Sequence, residues 1–332
     1  MLLKVFRGTG PGVVFLIFLA AIAVWASALF EPRLAVSFHY DNNPMPLYAL
    51  LKSLAGKSAF VGTMISFVLV MLMAVLLVSF NTTVFFINER TFLPALIFVL
   101  FSGLFPYYQV LNPVLPAAVL LMIAIMRIME AYRKNGTAFN FFDAGFLIGT
   151  GSLFYANLIW FGLLTIIGIA ILRTGNIKEI MLALLGLCTP VIITAGIYYV
   201  AGRDLQNLLS VTLNNLFGDA GSYYFSRATI TGLIIIGLSV LVSLFYLISV
   251  VNNKKIKSRK TFTELIWTFI ICLAVFFSLP SASVELIFIL TIPVSYFLSH
   301  YFVFSRNKIM PEFFFSVMFL IVAAIQVLFI KS

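Results

Sequence analysis

Ala144–Leu172, AGFLIGTGSLFYANLIWFGLLTIIGIAIL, runs without a charge between Asp143 and Arg173. A membrane crossing takes roughly 20 apolar residues. The stretch is therefore long for one helix and short for two, and every later loop changes side according to the choice. Other apolar runs lie at 12–30, 58–80, 91–107, 110–126, 179–200, 228–251, 262–279, 281–298 and 311–330. If 144–172 is a hairpin broken near Asn157, the chain has eleven spans. With the N-terminus inside, 15 of the 21 Lys and Arg residues then fall on the inner side. That is the bias the positive-inside rule demands. A single span would turn Lys254–Lys260, KKIKSRK, outward. The sequence thus predicts an all-α polytopic membrane protein of about eleven helices, N-terminus inside and C-terminus outside.

Composition supports the class. Apolar residues make up 62% of the chain and charged residues 10%, with a mean hydropathy of +1.12. A soluble domain carries about 25% charged residues, so this chain cannot cover a soluble core. The net charge of +10 would suggest a nucleic-acid partner in a soluble protein. Here the charges sit between apolar runs and read as an orientation signal, so no nucleic acid is expected. Cys188 and Cys272 lie inside apolar runs and form no disulfide or metal pattern. His39 and His300 are too far apart in sequence to suggest a histidine metal centre. Lys4, Arg7 and the Ala26-Ser27-Ala28 triplet have the outline of a signal peptide. Because more spans follow, the reading preferred is an uncleaved first helix.

The Pro106, Asn112, Pro113 and Pro116 cluster marks a sharp turn between the spans at 91–107 and 110–126. Two outer segments are long, 31–57 and 201–227. In the first, Leu47, Leu50, Leu51 and Leu54 repeat with helical period. In the second, Leu205, Leu208, Leu209, Leu213, Leu216 and Phe217 share a face opposite Gln206, Asn207, Ser210 and Asn214. Two short interfacial helices are expected. The same segments hold Glu31, Arg33, His39, Tyr40 and Asp41, and then Arg203, Asp204, Asp219 and Arg227. An acid beside His, Tyr and Arg suits a general base with anion-binding partners. The plain alternative is a set of solvated loop residues. The span middles are read as uncharged, with Asp143, Glu264, Glu285 and Glu312 near helix ends, which argues against an ion-coupled pump.

Asp41 is followed by Asn42-Asn43-Pro44-Met45-Pro46-Leu47-Tyr48, similar to an HPPLY-like stretch of the GT-C membrane glycosyltransferases. Arg90-Thr91-Phe92-Leu93-Pro94-Ala95 and Phe142–Leu153 also resemble segments of that family, the latter its AGxxxGxAxL helix. Asn88-Glu89-Arg90, Phe142-Asp143-Ala144 and Leu153-Phe154-Tyr155 are similar to an uncharacterised family of multi-pass inner-membrane proteins of Bacteroidota. The GT-C resemblance implies a seven-span core over 1–200, an outer loop over 201–227 and a four-span region over 228–332. It implies Asp41 as catalytic base and a polyprenyl-phosphate-linked sugar as donor. Arg33, Arg203 or Arg227 would hold the phosphate, and Glu31, His39, Tyr40 and Asp219 would complete the substrate site. No cofactor is indicated, and a divalent metal stays open. Two other functions stay open as well: a non-catalytic membrane subunit, and a translocator of a lipid or lipid-linked sugar. Membrane lipids are the partners expected in every case. The Gly145, Gly149 and Gly151 spacing is also what plain helix packing in membranes uses.

Overall fold

The computed structural model describes residues 2–32, 39–56, 58–133, 138–172, 177–219 and 227–331. Among them there are helices and turns but no strand. The short α1 (Leu2–Phe6) precedes α2 (Pro11–Phe30), whose Pro11 supplies a preset φ at the first helical position. Then come α3 (His39–Asn42), α4 (Pro46–Ala55) and α5 (Ala59–Val84). Gly56 takes a φ of 63° where α4 ends, and the Ser58 side chain caps α5. The proline-rich turn separates α6 (Leu93–Ser102) from α7 (Val114–Glu130). Its Asn112 side chain accepts from the backbone amides of Val114 and Leu115, which starts α7.

The stretch that decides the fold is broken at the expected place. Helix α8 (Ala138–Ser152) ends before Asn157, which lies in a 3-10 turn over Ala156–Gly162, and α9 (Leu163–Leu172) follows. Beyond it come α10 (Ile177–Val200), the amphipathic α11 (Leu205–Phe217), α12 (Arg227–Val251), α13 (Ile256–Ser278), α14 (Ile287–Phe304) and α15 (Ile309–Lys331). Seven of the described helices are long and apolar enough to cross a membrane. The helices α6 to α9 are shorter.

Burial sorts these helices. All ten residues of α6 are buried, and α14 is buried along almost its whole length. A helix apolar on all sides belongs in the middle of a bundle. The outer helices keep one apolar face open: Phe15 on α2, Val68 on α5, Ile192 on α10 and Phe245 on α12 are all exposed. Helices α8 and α10 meet backbone to backbone. A Cβ added at Gly145 would collide with the Ala183 carbonyl, one at Gly149 with the Leu187 carbonyl, and one at Gly186 with the Phe142 carbonyl. Small residues at this spacing allow such close approach in membranes. The glycine pattern singled out in the sequence therefore has a packing role.

Several polar groups inside the bundle are paired within it, as an apolar surrounding favours. Trp25 donates to Ser102 at 2.9 Å, Gln109 to the Val24 carbonyl at 3.0 Å, and Gln326 to the Gly103 carbonyl at 2.8 Å. Tyr296 reaches the Leu77 carbonyl at 2.8 Å. Glu264 and Glu285, read from the sequence as lying near helix ends, are each only 1% exposed. Glu264 lies in the third turn of α13, and Glu285 in the 3-10 turn Val284–Leu286 that leads into α14.

Candidate functional site

Segments far apart in sequence converge at one end of the bundle. The Leu47 amide donates to the Leu153 carbonyl at 3.0 Å, and Asn215 on α11 donates to the Asn43 carbonyl at 2.8 Å. Ser281 donates to the Leu216 carbonyl at 2.6 Å, and Asn157 donates to Ser281 at 3.0 Å. These bonds tie α3, α4, α11, the α8–α9 break and the α13–α14 turn into one cap.

Inside the cap, Tyr40, Met45, Tyr48 and Ala156 are buried together, with Leu111, Phe154, Val211 and Leu216 around them. Two tyrosines and two carboxyl groups give this cluster its chemistry. Tyr40 donates its phenol proton to Glu285 Oε1 at 2.7 Å. Tyr48 donates to Asp41 Oδ1 at 3.2 Å and also approaches the Leu111 carbonyl at 3.3 Å. The two rings meet edge to face with centroids 5.7 Å apart. Lys52 closes the outer side, with Nζ 2.8 Å from Asp41 Oδ1. Burial pushes the Tyr40 phenol well above its ordinary range, and the Glu285 carboxyl beside it adds to the shift. Burial acts likewise on Tyr48, reinforced by Asp41. Tyr108, in the turn before α7, is pushed up to about 12, again mainly by burial.

The site is graded from buried to open. Glu285 is enclosed, and its Oε2 has no hydrogen-bond partner among the described residues. Asp41 keeps 11% of its side chain exposed and Lys52 keeps 45%. A carboxylate at the mouth thus sits in front of a second, enclosed one, with two phenols between. Such an arrangement can accept and pass protons, and its lysine can meet an anion.

The residues expected from the sequence are divided by the fold. Asp41 and Tyr40 are in the cluster. Glu31 is not: it ends α2 at a groove beside Phe30, Phe329 and Ile330. Arg203 is exposed and lies over the Tyr198 ring at 5.5 Å. Asp219 is exposed just past the end of α11. Arg33 and the side chains of His39 and Arg227 fall outside the described residues. Among the described residues, the cation at Asp41 is Lys52, which falls on the polar side of α4. Tyr48, Lys52 and Glu285 were missed as site residues. Lys52 and Tyr48 could have been found by helical register, since Tyr48 and Lys52 are i, i+4 and face one way. Nothing local points to Glu285. Among the described residues no three of His, Cys, Asp or Glu gather as a metal-holding group.

Long apolar helices around an enclosed helical core, with a polar cap at one end, define a helical multi-pass membrane protein. The chain belongs to a family of unknown function, DUF6427, whose model matches residues 47–331. The match takes in Tyr48, Lys52 and Glu285 and starts just after Asp41. No curated protein and no solved structure matches the chain.

Proposed function

We propose that this is an eleven-span inner-membrane protein that works at the outer face, with the N-terminus cytoplasmic and the C-terminus periplasmic. The support is a charge sorting that follows the fold. Lys52 and Arg203 stand at the Tyr40 end. The run Lys254–Lys260 lies at the other end, where Lys254 covers the Phe304 ring at 4.1 Å and Lys260 reaches the Leu172 carbonyl at 3.5 Å. Arg7 pairs there with Glu89 at 3.2 Å. By the positive-inside rule, the Lys254 end is cytoplasmic. The basic run itself is a topology determinant first, and its contact with anionic lipid heads is secondary.

The chemistry best suited to the cap is group transfer from a lipid-linked donor, with the sugar carried on a polyprenyl phosphate. The observation that carries this is the Asp41–Lys52 pair at the mouth of a site walled by tyrosines. Asp41 would take the proton of the acceptor hydroxyl. Lys52 would turn from Asp41 to the donor phosphate, a role a flexible ammonium can fill. The GT-C-like division at residues 200 and 228 belongs to this same reading. The test is complementation of a strain lacking the protein. Asp41→Asn is expected to fail to restore the cell-envelope glycan at normal expression. Full complementation by that variant refutes the enzyme reading.

A second reading, a non-catalytic membrane subunit, is favoured by the same 2.8 Å pair. An aspartate tied to its own lysine is satisfied without substrate. In that reading Asp41→Asn complements, and Tyr40 and Glu285 serve only to hold the cap.

A further inference from the structure

Glu264 stands apart from the cap. It is 1% exposed, and neither carboxyl oxygen has a hydrogen-bond partner among the described residues. Room for the group comes from Gly168 on α9. A Cβ at Gly168 would stand 3.6 and 3.7 Å from the two Glu264 oxygens, and Ile128 on α7 closes the notch from the other side.

Among the described residues, the charged groups nearby are committed elsewhere. Lys260 is one turn earlier on the same face of α13, but its ammonium reaches the Leu172 carbonyl at 3.5 Å and lies over the Tyr132 ring at 5.7 Å. Arg127, next to Ile128, pairs with Glu130 at 3.0 Å and with Asp143 at 4.0 Å. On α14, His300 sits against Phe262, Tyr246 and Phe304, with centroids 5.1 to 5.8 Å away. Tyr246 on α12 donates to the Phe304 carbonyl at 2.7 Å. The turn Ala156–Gly162 brings no titratable side chain to α13.

An ionised carboxylate with neither donor nor counter-charge costs several kcal/mol in an apolar interior. A proton is the positive partner that needs no further room in the Gly168 notch. Acidic groups inside membrane helices are expensive, and they recur at ion and proton sites. We propose that Glu264 is a proton-binding site in the body of the bundle. It is distinct from the Tyr40 cluster and lies about one helical turn from Lys260.

The experiment uses the purified full-length protein in detergent. It is treated with dicyclohexylcarbodiimide, an apolar reagent that adds to protonated carboxyl groups, and the adduct is mapped by peptide mass spectrometry. The expected result is an adduct on Glu264 in the wild-type protein, and its absence there overturns the proposal. This arm needs no variant to fold. In Glu264→Gln, whose side chain fills the same notch, the infrared band of a neutral carboxylic acid should lose intensity. A spectrum identical to wild type in that region also overturns it.

Discussion

Tyr40 and Glu285 are 245 positions apart and share a 2.7 Å hydrogen bond inside the cap. That bond joins the segment after α2 to the turn before α14. It turns two stretches with no local relationship into the floor of one site.

The first prediction concerns that bond. Tyr40→Phe keeps the ring against Tyr48 and leaves Glu285 Oε1 without its donor. Leaving a buried acceptor without its donor costs about 1–3 kcal/mol. Thermal unfolding in detergent should show a loss of that order. Glu285→Gln combined with Tyr40→Phe should cost less than the sum of the single variants, because they remove one shared interaction. Additive losses would show that the pair is not coupled.

The tyrosines also set a pH dependence. Both phenols ionise later in the folded protein than at their ordinary value of 10.0. Above that pH the unfolded chain gives up protons that the folded protein keeps. Stability should therefore be at its full value below about pH 10 and fall as the pH rises further. Tyr48→Phe should make the fall shallower. An equally steep fall in that variant would place the titrating group elsewhere.

Helices α8 and α10 should resist any side chain at their contact. Gly149→Leu would push a side chain into the Leu187 backbone, which cannot move aside without separating the helices. Overpacking of this kind costs about 1–3 kcal/mol. Gly196→Leu, on the same α10, meets nothing within 4 Å and serves as the control. Equal melting temperatures for the two variants would refute the contact.

Topology can be read with single cysteines placed after Cys188 and Cys272 have been replaced. Asn214→Cys on α11 should react with a membrane-impermeant thiol reagent in intact cells. Asn253→Cys, in the turn after α12, should react only after permeabilisation. The reverse pattern would invert the proposed orientation.

The helices themselves were largely legible. The runs at 12–30, 179–200 and 228–251 became Pro11–Phe30, Ile177–Val200 and Arg227–Val251. The amphipathic stretch 205–217 became α11 residue for residue. The break near Asn157 and the turn around Pro113 also fell where the sequence put them. All of these signals are local. Apolar run length, helical period and proline or asparagine at a turn act within a few residues of where they are seen. The glycines of α8 were legible too, with their backbone contact on α10 supplying the reason for their spacing.

The site was legible only in part, because its members are brought together by contacts between distant segments. Asp41 and Tyr40 stood out as polar residues beside an apolar run. The sequence points to Arg33, Arg203 or Arg227 for holding a phosphate, whereas the cation beside Asp41 among the described residues is Lys52, which depends on how α4 is turned. Glu264 and Glu285 look in sequence like charges near the ends of apolar runs, where solvent is the natural neighbour. Position along a helix does not reveal what packs against it. In this protein α9 covers Glu264 and the cap covers Glu285. The sequence by itself therefore determined that the chain is a set of apolar helices and where they turn. Only the tertiary structure decided which of its few carboxyl groups face water and which are enclosed, since burial depends on neighbours that lie far away along the chain.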